Sequence, residues 1–349
     1  MPTTNENAAD DIIGHRLALL RYESGTVTRL LSVYDAALKD VVVELEKARK
    51  KLAAGLEIDD RQRKRLTALS AELRAGIREL NRIATLTLSE RLADAAAAEQ
   101  AFLAGTLSRT IGVALRGIPE DRVALMLTDP IGGSVWRDRL AVDLVATETG
   151  LQGALSQALA RGLSIPRAAA VIKGLGIAET YRGRLVSIAR TEIQRVANQV
   201  AMETYATNAD VIKGVQVLAT LDTRTCPICG ALHNTVYPIV GGRLQGLERL
   251  PPFHTRCRCA ICPVTKSYSE LGLTQQPANR SILDGNPAQD QTFEQWLRKK
   301  PASYADEVFG PTRAAAWRAG KLPLSGMVSG MRVLNLGELS ARYPDALPV

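Results

Sequence analysis

A chain of 349 residues has room for two or three domains, and its 46% hydrophobic and 23% charged residues exclude a disordered or fibrous protein. Aromatic residues make up only 4%, so the core must be built from Leu, Val, Ile and Ala, which favours helices. The formal charge of +8 with a pI near 9.4 is a mild basic excess, compatible with contact to DNA and far from requiring it.

From Val27 the apolar positions run Val27, Leu31, Tyr34, Leu38, Val41, Leu45, Ala48 and Leu52. Steps of four and three alternate, the spacing of a helix packed along a narrow seam. Ala53-Ala54-Gly55 ends the pattern, and Asp59 or Asp60 is placed to cap a second helix carrying Leu66, Leu69, Leu73, Leu80, Ile83, Leu88 and Leu92. Two long amphipathic helices around a short break predict an antiparallel helical hairpin. Its bend is basic: Lys47, Arg49, Lys50, Lys51, Arg61, Arg63, Lys64 and Arg65 outnumber Glu57, Asp59 and Asp60, as either a solvated tip or a phosphate or partner contact.

Residues 118–135 carry loop signals (Ile118-Pro119, Asp129-Pro130, Gly132-Gly133). A helical region follows over about 137–207, broken near Gly162 and Gly174–Gly176, with a strong final helix from Arg184 to Ala206. Arg190-Thr191-Glu192 on that helix reads as polar positions bonding their neighbours. After Asn208, Val215, Val217, Ala219 and Leu221 alternate with polar residues and predict a strand, and Val236 and Ile239 a second. Gly241-Gly242 and Pro251-Pro252 bracket a loop. Beyond Pro263, Pro277, Gly285-Asn286-Pro287, Pro301, Gly310-Pro311 and Gly320 punctuate short helices anchored by Trp296, Phe309 and Trp317.

The expected fold is mainly α with a small α+β module: a long N-terminal helical hairpin (1–135), a middle helical region leading to short strands around a Cys/His site (136–264), and a loop-rich C-terminal tail (265–349). No uncharged apolar run reaches the about 18 residues of a membrane span. The polar start, Met1 to Asp11, lacks the apolar core of a secretory signal, so the expected compartment is the cytosol.

All five cysteines lie between Cys226 and Cys262. An odd number, packed locally in a chain without an export signal, argues for a metal site and against a disulfide framework. Cys226-Pro227-Ile228-Cys229 is a knuckle that turns two thiolates onto one ion. After 24 intervening residues comes His254-Thr255-Arg256-Cys257-Arg258-Cys259. Two thiolates and a His-x-x-Cys pair supply the four donors of a tetrahedral zinc site. The first choice is Cys226, Cys229, His254 and Cys257, with Cys259 as the alternative fourth ligand and Cys262 as a buried thiol. Three thiolates, a neutral imidazole and Zn²⁺ sum to about −1, a poor Lewis acid with no open position, so such zinc is structural. His15 and His233 lack any catalytic constellation, and His233-Asn234 reads as a turn. Gly241-Gly242-Arg243 lacks a phosphate-loop lysine, and no serine nucleophile elbow or paired acidic motif occurs; the chain is expected not to be an enzyme.

Ile188-Ala189-Arg190-Thr191-Glu192, then Leu218 through Cys229 (Leu-Ala-Thr-Leu-Asp-Thr-Arg-Thr-Cys-Pro-Ile-Cys), then Pro251-Pro252-Phe253-His254-Thr255-Arg256-Cys257-Arg258-Cys259 and Pro263-Val264, resemble in order the phage head-morphogenesis domain, the Mu F-like domain. The strong part covers about 150–264. Asp284-Gly285, Glu294-Gln295-Trp296-Leu297 and Val308-Phe309-Gly310-Pro311-Thr312-Arg313 resemble the tails of minor head proteins of this family. Three positions depart from the pattern: Val217 and Leu218 where an aromatic is common, His233 where an acid is common, and the additional Cys262. The resemblance implies a minor head protein of a tailed phage, present in few copies, that joins the portal vertex during procapsid assembly and stays in the head interior. Its implied partner is the portal protein, with the major capsid or scaffolding protein and non-specific DNA as further candidates. Two rival readings are a zinc-ribbon nucleic-acid-binding protein, which calls for more basic and aromatic residues near the knuckle than Arg243, Arg249, Arg256, Arg258, Tyr237 and Phe253, and a zinc-dependent nuclease or toxin, which calls for an open metal position and a general base.

Overall fold

A computed structural model describes residues 4–52, 60–128, 135–160, 177–267, 270–271 and 292–347. The expected hairpin bend at 53–59, the Asp129-Pro130 and Gly132-Gly133 signals, the breaks at Gly162 and Gly174–Gly176, and the motifs at Pro277 and 284–287 lie outside these residues, as do the side chains of the basic residues flanking the bend. The chain is mostly helical with a small antiparallel sheet, the fold class expected from the sequence. The helices are α1 (Thr4–Leu52), α2 (Asp60–Phe102), α3 (Ser108–Ile111), α4 (Glu120–Met126), α5 (Trp136–Ala160) and α6 (Ile177–Thr207). Among the described residues, no helix is long and apolar enough to cross a membrane.

The structure departs from the sequence reading at several boundaries. α1 begins at Thr4, far ahead of Val27, because Ala8, Ala9, Ile12 and Leu19 are buried along one face of its first turns. α2 runs on through a π-helical turn (Leu103–Leu107) into α3, which ends where Gly112 adopts a left-handed φ of 74°. The segment read as loop from 118 holds α4, with Glu120 and Asp121 in its first turn favouring that end of the helix dipole.

The chain forms two compact units. One comprises Leu20–Asp94 and Leu127–Ile193. There the helices are joined by polar pairs: Tyr181 donates to Asn81 (3.2 Å), Arg184 to Asp143 (2.6 Å), and Arg190 pairs with Glu23 (3.1 Å). Buried Glu192 receives Arg139 and Thr191 donates to Ser187 O of its own helix (2.6 Å), so the Arg190-Thr191-Glu192 motif is made of polar positions bonding their neighbours.

The other unit comprises Met1–Leu19, Ala95–Met126 and Gln194–Val349. Its sheet has the order β3-β2-β1-β4, all antiparallel, from β1 (Ile212–Leu218), β2 (Val236–Val240), β3 (Arg243–Leu244) and β4 (Ala260–Thr265). β1 stops at Leu218, short of the predicted Ala219 and Leu221, because Thr225 and Asp222 draw residues 220–225 into a turn through Thr220 O, the Arg224 N–H and the Thr225 N–H. Gly241 and Gly242 (φ 57° and 73°) form the two-residue connection between β2 and β3, where both central residues need left-handed backbone.

β4 lies at the sheet edge, and its outward positions alternate with those bonded to β1. Each is accounted for: the Ile261 N–H donates to Asn198 Oδ1 (3.2 Å), Pro263 has no N–H, and the Thr265 N–H donates to Asn5 Oδ1 (3.3 Å). Asn198, fully buried on α6, also donates to Cys259 O (3.2 Å) and accepts from Arg16 (3.2 Å), whose guanidinium meets Glu99.

The C-terminal part holds α8 (Phe293–Arg298), α9 (Ala302–Phe309), α10 (Pro311–Arg318), a 3-10 turn (Leu324–Met327), the two-residue strands β5 (Val328–Ser329) and β6 (Arg332–Val333), and α11 (Leu336–Arg342). It has its own core, in which Phe309 sits edge-on to Phe293 (6.5 Å) and Trp317 (5.5 Å). Phe309 and Trp317 are therefore anchors, as expected; the Trp296 side chain lies outside the described residues.

Candidate metal centre

The knuckle is built by a short helix, α7 (Pro227–Leu232). Pro227 pre-sets its first residue, and Cys226 is its N-cap: the sulfur accepts the Cys229 N–H (3.5 Å) and the Cys226 carbonyl accepts the Gly230 N–H (2.9 Å). One helical turn thus brings both sulfurs to the same side. The second half follows Phe253, where the Cys257 N–H donates to His254 O (3.1 Å) with Arg256 in the left-handed region (φ 61°). That turn aims His254 and Cys257 at the knuckle, and the extended residues after it carry Cys259.

All five predicted site residues meet here. The ligand atoms of Cys226, Cys229 and His254 lie within 4.8 Å of one another, as do those of Cys229, Cys257 and Cys259, so Cys229 is common to both triads. His254 Nε2 stands 3.3 Å from Cys226 Sγ and 3.2 Å from Cys229 Sγ, and Cys229 Sγ is 3.8 Å from Cys257 Sγ. Around a tetrahedral zinc, Zn–S bonds of about 2.3 Å and Zn–N bonds of about 2.05 Å imply S···S near ~3.8 Å and S···N near ~3.6 Å. The sulfur pair meets that spacing, and the imidazole contacts are slightly shorter. His254 Nδ1 lies 2.8 Å from Thr255 O, so it is the nitrogen that carries the proton, and Nε2 is left facing the sulfurs as the ligand atom. The donors therefore fit a metal ion.

The electrostatics are those of thiols crowded around shared protons. A bond from Cys229, aided by His254, pulls the Cys226 thiol down to about 4 against the cost of burial. Bonds from Cys229 and Cys259 also hold Cys257 far below the usual thiol range. Cys229 is pushed up as the donor to Cys226, Cys257 and Cys259. His254 is raised to about 10 by its contacts with Cys226 and Cys257. A dication relieves this conflict, because it replaces the shared protons with one positive charge centre. Val217 and Phe253 wall the cluster, with Tyr237, Leu247 and Met331 flanking it, and shield the sulfurs from water.

Other polar residues brace the ligands. Asp222 binds Arg258, which lies between Cys257 and Cys259, through two bonds of 2.6 Å, and Arg258 in turn holds the Asp222 carboxyl below its ordinary range. This pair ties the turn before the knuckle to the second ligand segment. Arg249 donates to Phe253 O. Sequence reasoning noted these residues within motifs without giving them roles, since their partners lie far apart along the chain.

The remaining candidates lie elsewhere. Cys262 is buried on β4, pushed up to about 12 by burial, with its sulfur 3.7 Å from Pro263 O. All five cysteines are free thiols. His233 Nδ1 accepts the Ala219 N–H (3.1 Å) at the turn after α7, and burial lowers it to about 4. His15 stacks on Phe102 and contacts Glu99 (2.9 Å).

In comparisons with known proteins, residues 149–262 match the model of a family described as phage Mu protein F-like. No curated protein and no solved structure matches the chain. The matched segment contains α6 from its first residue, the sheet through Cys262, and every residue of the Cys/His cluster. Over residues 149–262 the chain is therefore similar to the phage Mu protein F-like family, and this similarity supports a phage head-morphogenesis protein.

Proposed function

We propose that this chain is a structural minor head protein of a tailed phage that works with the portal protein in procapsid assembly, DNA packaging or ejection, and that it holds one structural zinc. The observation that carries the reading is the family match over 149–262 with the complete Cys/His cluster inside it. In this reading, 136–264 is the head-morphogenesis domain, flanked by the helical 1–135 and the tail 265–349. Cys226, Cys229, His254 and Cys257 hold the zinc, with Cys259 as the alternative fourth ligand. Bound zinc supplies a cross-link between two segments of chain, the knuckle and residues 254–259. A set of four Cys and His donors leaves no open coordination position, so the role is structural and not enzymatic. The protein resides in the head interior near the portal vertex, after a cytoplasmic stage in the host.

Two measurements test this. Elemental analysis after dialysis against a chelator is expected to find about one zinc per chain; none would remove the metal from the proposal. Mass spectrometry of purified particles, with co-sedimentation on the portal protein, is expected to find the chain in the head. Its absence from particles and portal complexes would overturn the structural reading.

A further inference from the structure

The knuckle faces two ways. Its sulfurs point into the Cys/His cluster, while the other side of α7 touches α8, the 3-10 turn, β5 and β6 of the C-terminal module. Ala231 on α7 and Leu221 just before it pack into the core of that module, and Met331 packs in return against the residues walling the cluster. The two pack tightly at Gly230, next to Cys229. A methyl group built there would stand 2.6 Å from Phe293 Cδ1 and 3.0 Å from Cε1 and Cγ. Gly230 is in ordinary helical backbone, so the residue is glycine for space and not for conformation. Phe293, 1% exposed, belongs to the C-terminal core, where it meets Phe309.

We propose that the knuckle is also the seat of the C-terminal module: metal bound at Cys229 fixes α7 so that Gly230 receives the Phe293 ring, and residues 292–347 stay docked on the domain only while the metal is bound. This rests on the metal-centre reading above.

The physical reason is the size of α7. Six residues have too few internal hydrogen bonds to hold a helix by themselves. With metal, the two cysteines are fixed to a second chain segment. Without it, the helix is held by its proline, its cap and side-chain packing, and the flat Gly230 surface under Phe293 loses definition. The module itself keeps bonds that do not involve α7: Trp317 donates to Glu294 (2.7 Å), the Leu324 N–H donates to the same oxygen (3.1 Å), and Asn335 and Glu338 form a capping box on α11. Loss of metal is thus expected to undock a folded module and not to melt it.

The test is hydrogen exchange on the full chain, with metal content measured on every sample. Removing the metal with a chelator is expected to speed exchange about ten-fold or more over 324–333, the part lying on α7, and to leave α9 and α10 within about two-fold. Gly230→Ala, metal-loaded, is expected to speed the same segment while keeping its full metal content. In a Phe293→Ala background, Gly230→Ala is expected to change nothing further, because the ring it strikes is gone. Unchanged protection of 324–333 after metal removal would overturn the metal dependence, and an effect of Gly230→Ala equal with and without Phe293 would overturn the seat. A wild-type chain that takes up no metal would instead sink the metal-centre reading, while the Gly230 and Phe293 arms still decide whether the seat exists.

Discussion

Replacing Asn198 with Ala removes an amide that joins four partners in one buried place. Its Oδ1 takes the Ile261 N–H and Arg16, and its Nδ2 serves Cys259 O and Gln194 O (2.8 Å). Asn198 is fully buried, so water does not replace it at once. Each buried backbone group left without a partner costs about 1–3 kcal/mol. With the Ile261 N–H and the Cys259 carbonyl orphaned together and Arg16 weakened, the loss is roughly 3–5 kcal/mol, with a small void adding to it. The Gln194 carbonyl costs little, since it keeps its bond within α6. The assay is urea unfolding followed by exchange of the β1 and β4 amides, with Ser24→Ala as control; that exposed hydroxyl only bonds its own helix, so its loss stays within about 0.5 kcal/mol. A cost for Asn198→Ala below about 1 kcal/mol, with the Ile261 amide as protected as before, would refute the reasoning.

Asp222→Asn is expected to cost about 1 kcal/mol, because the Arg258 pair is partly solvated, and to weaken metal retention. The Asp222 carboxyl is depressed, so its contribution is complete above the unfolded value near ~3.9 and is lost as pH falls through the lower folded value; an acid unfolding curve unchanged by the substitution would contradict this. In metal-free protein, Cys226, lowered to about 4 from 9.0, contributes fully above 9.0 and loses its effect as pH falls toward 4, whereas His254, raised to about 10 from 6.5, contributes fully below 6.5 and loses its effect as pH rises toward 10. Cys257, also depressed, adds a second contribution that grows up to 9.0, and raised Cys229 loses its own above that value, so the urea midpoint of chelated protein should rise with pH up to 9.0 and fall beyond it. Phe309→Ala should cost about 3–5 kcal/mol in the C-terminal module, read from exchange of α9 and α10 amides, since it removes a ring packed between two others.

The parts of this molecule that were legible in its sequence are those with a short-range signature. The seam from Val27 to Leu52 marked a long helix, and the spacing of Cys226, Cys229, His254 and Cys257 marked the cluster because few residue types bind metal through sulfur or imidazole. Helix starts were harder to read: Ala8 and Ala9 are buried in α1, but alanine carries little hydrophobic contrast. β4 escaped notice because Pro263 interrupts its apolar run, and proline is tolerated there only because the strand is at an edge. Asn198, and the Asp222 and Arg258 pair, left no pattern at all. Their distant partners are 36 to 182 residues away, and a polar side chain gives no sign of which distant group it will meet.

The sealed edge of β4 bears on how copies of this chain behave when crowded together. An open strand edge is a template on which another chain adds its own strand, and such additions propagate into polymers. Here two asparagines and a proline leave the outward side of β4 with no amide at 261, 263 or 265 to offer a neighbour, and the opposite edge, β3, is only two residues long. Strand addition at β4 by a neighbouring copy is therefore disfavoured, and the β3 edge offers only a short template.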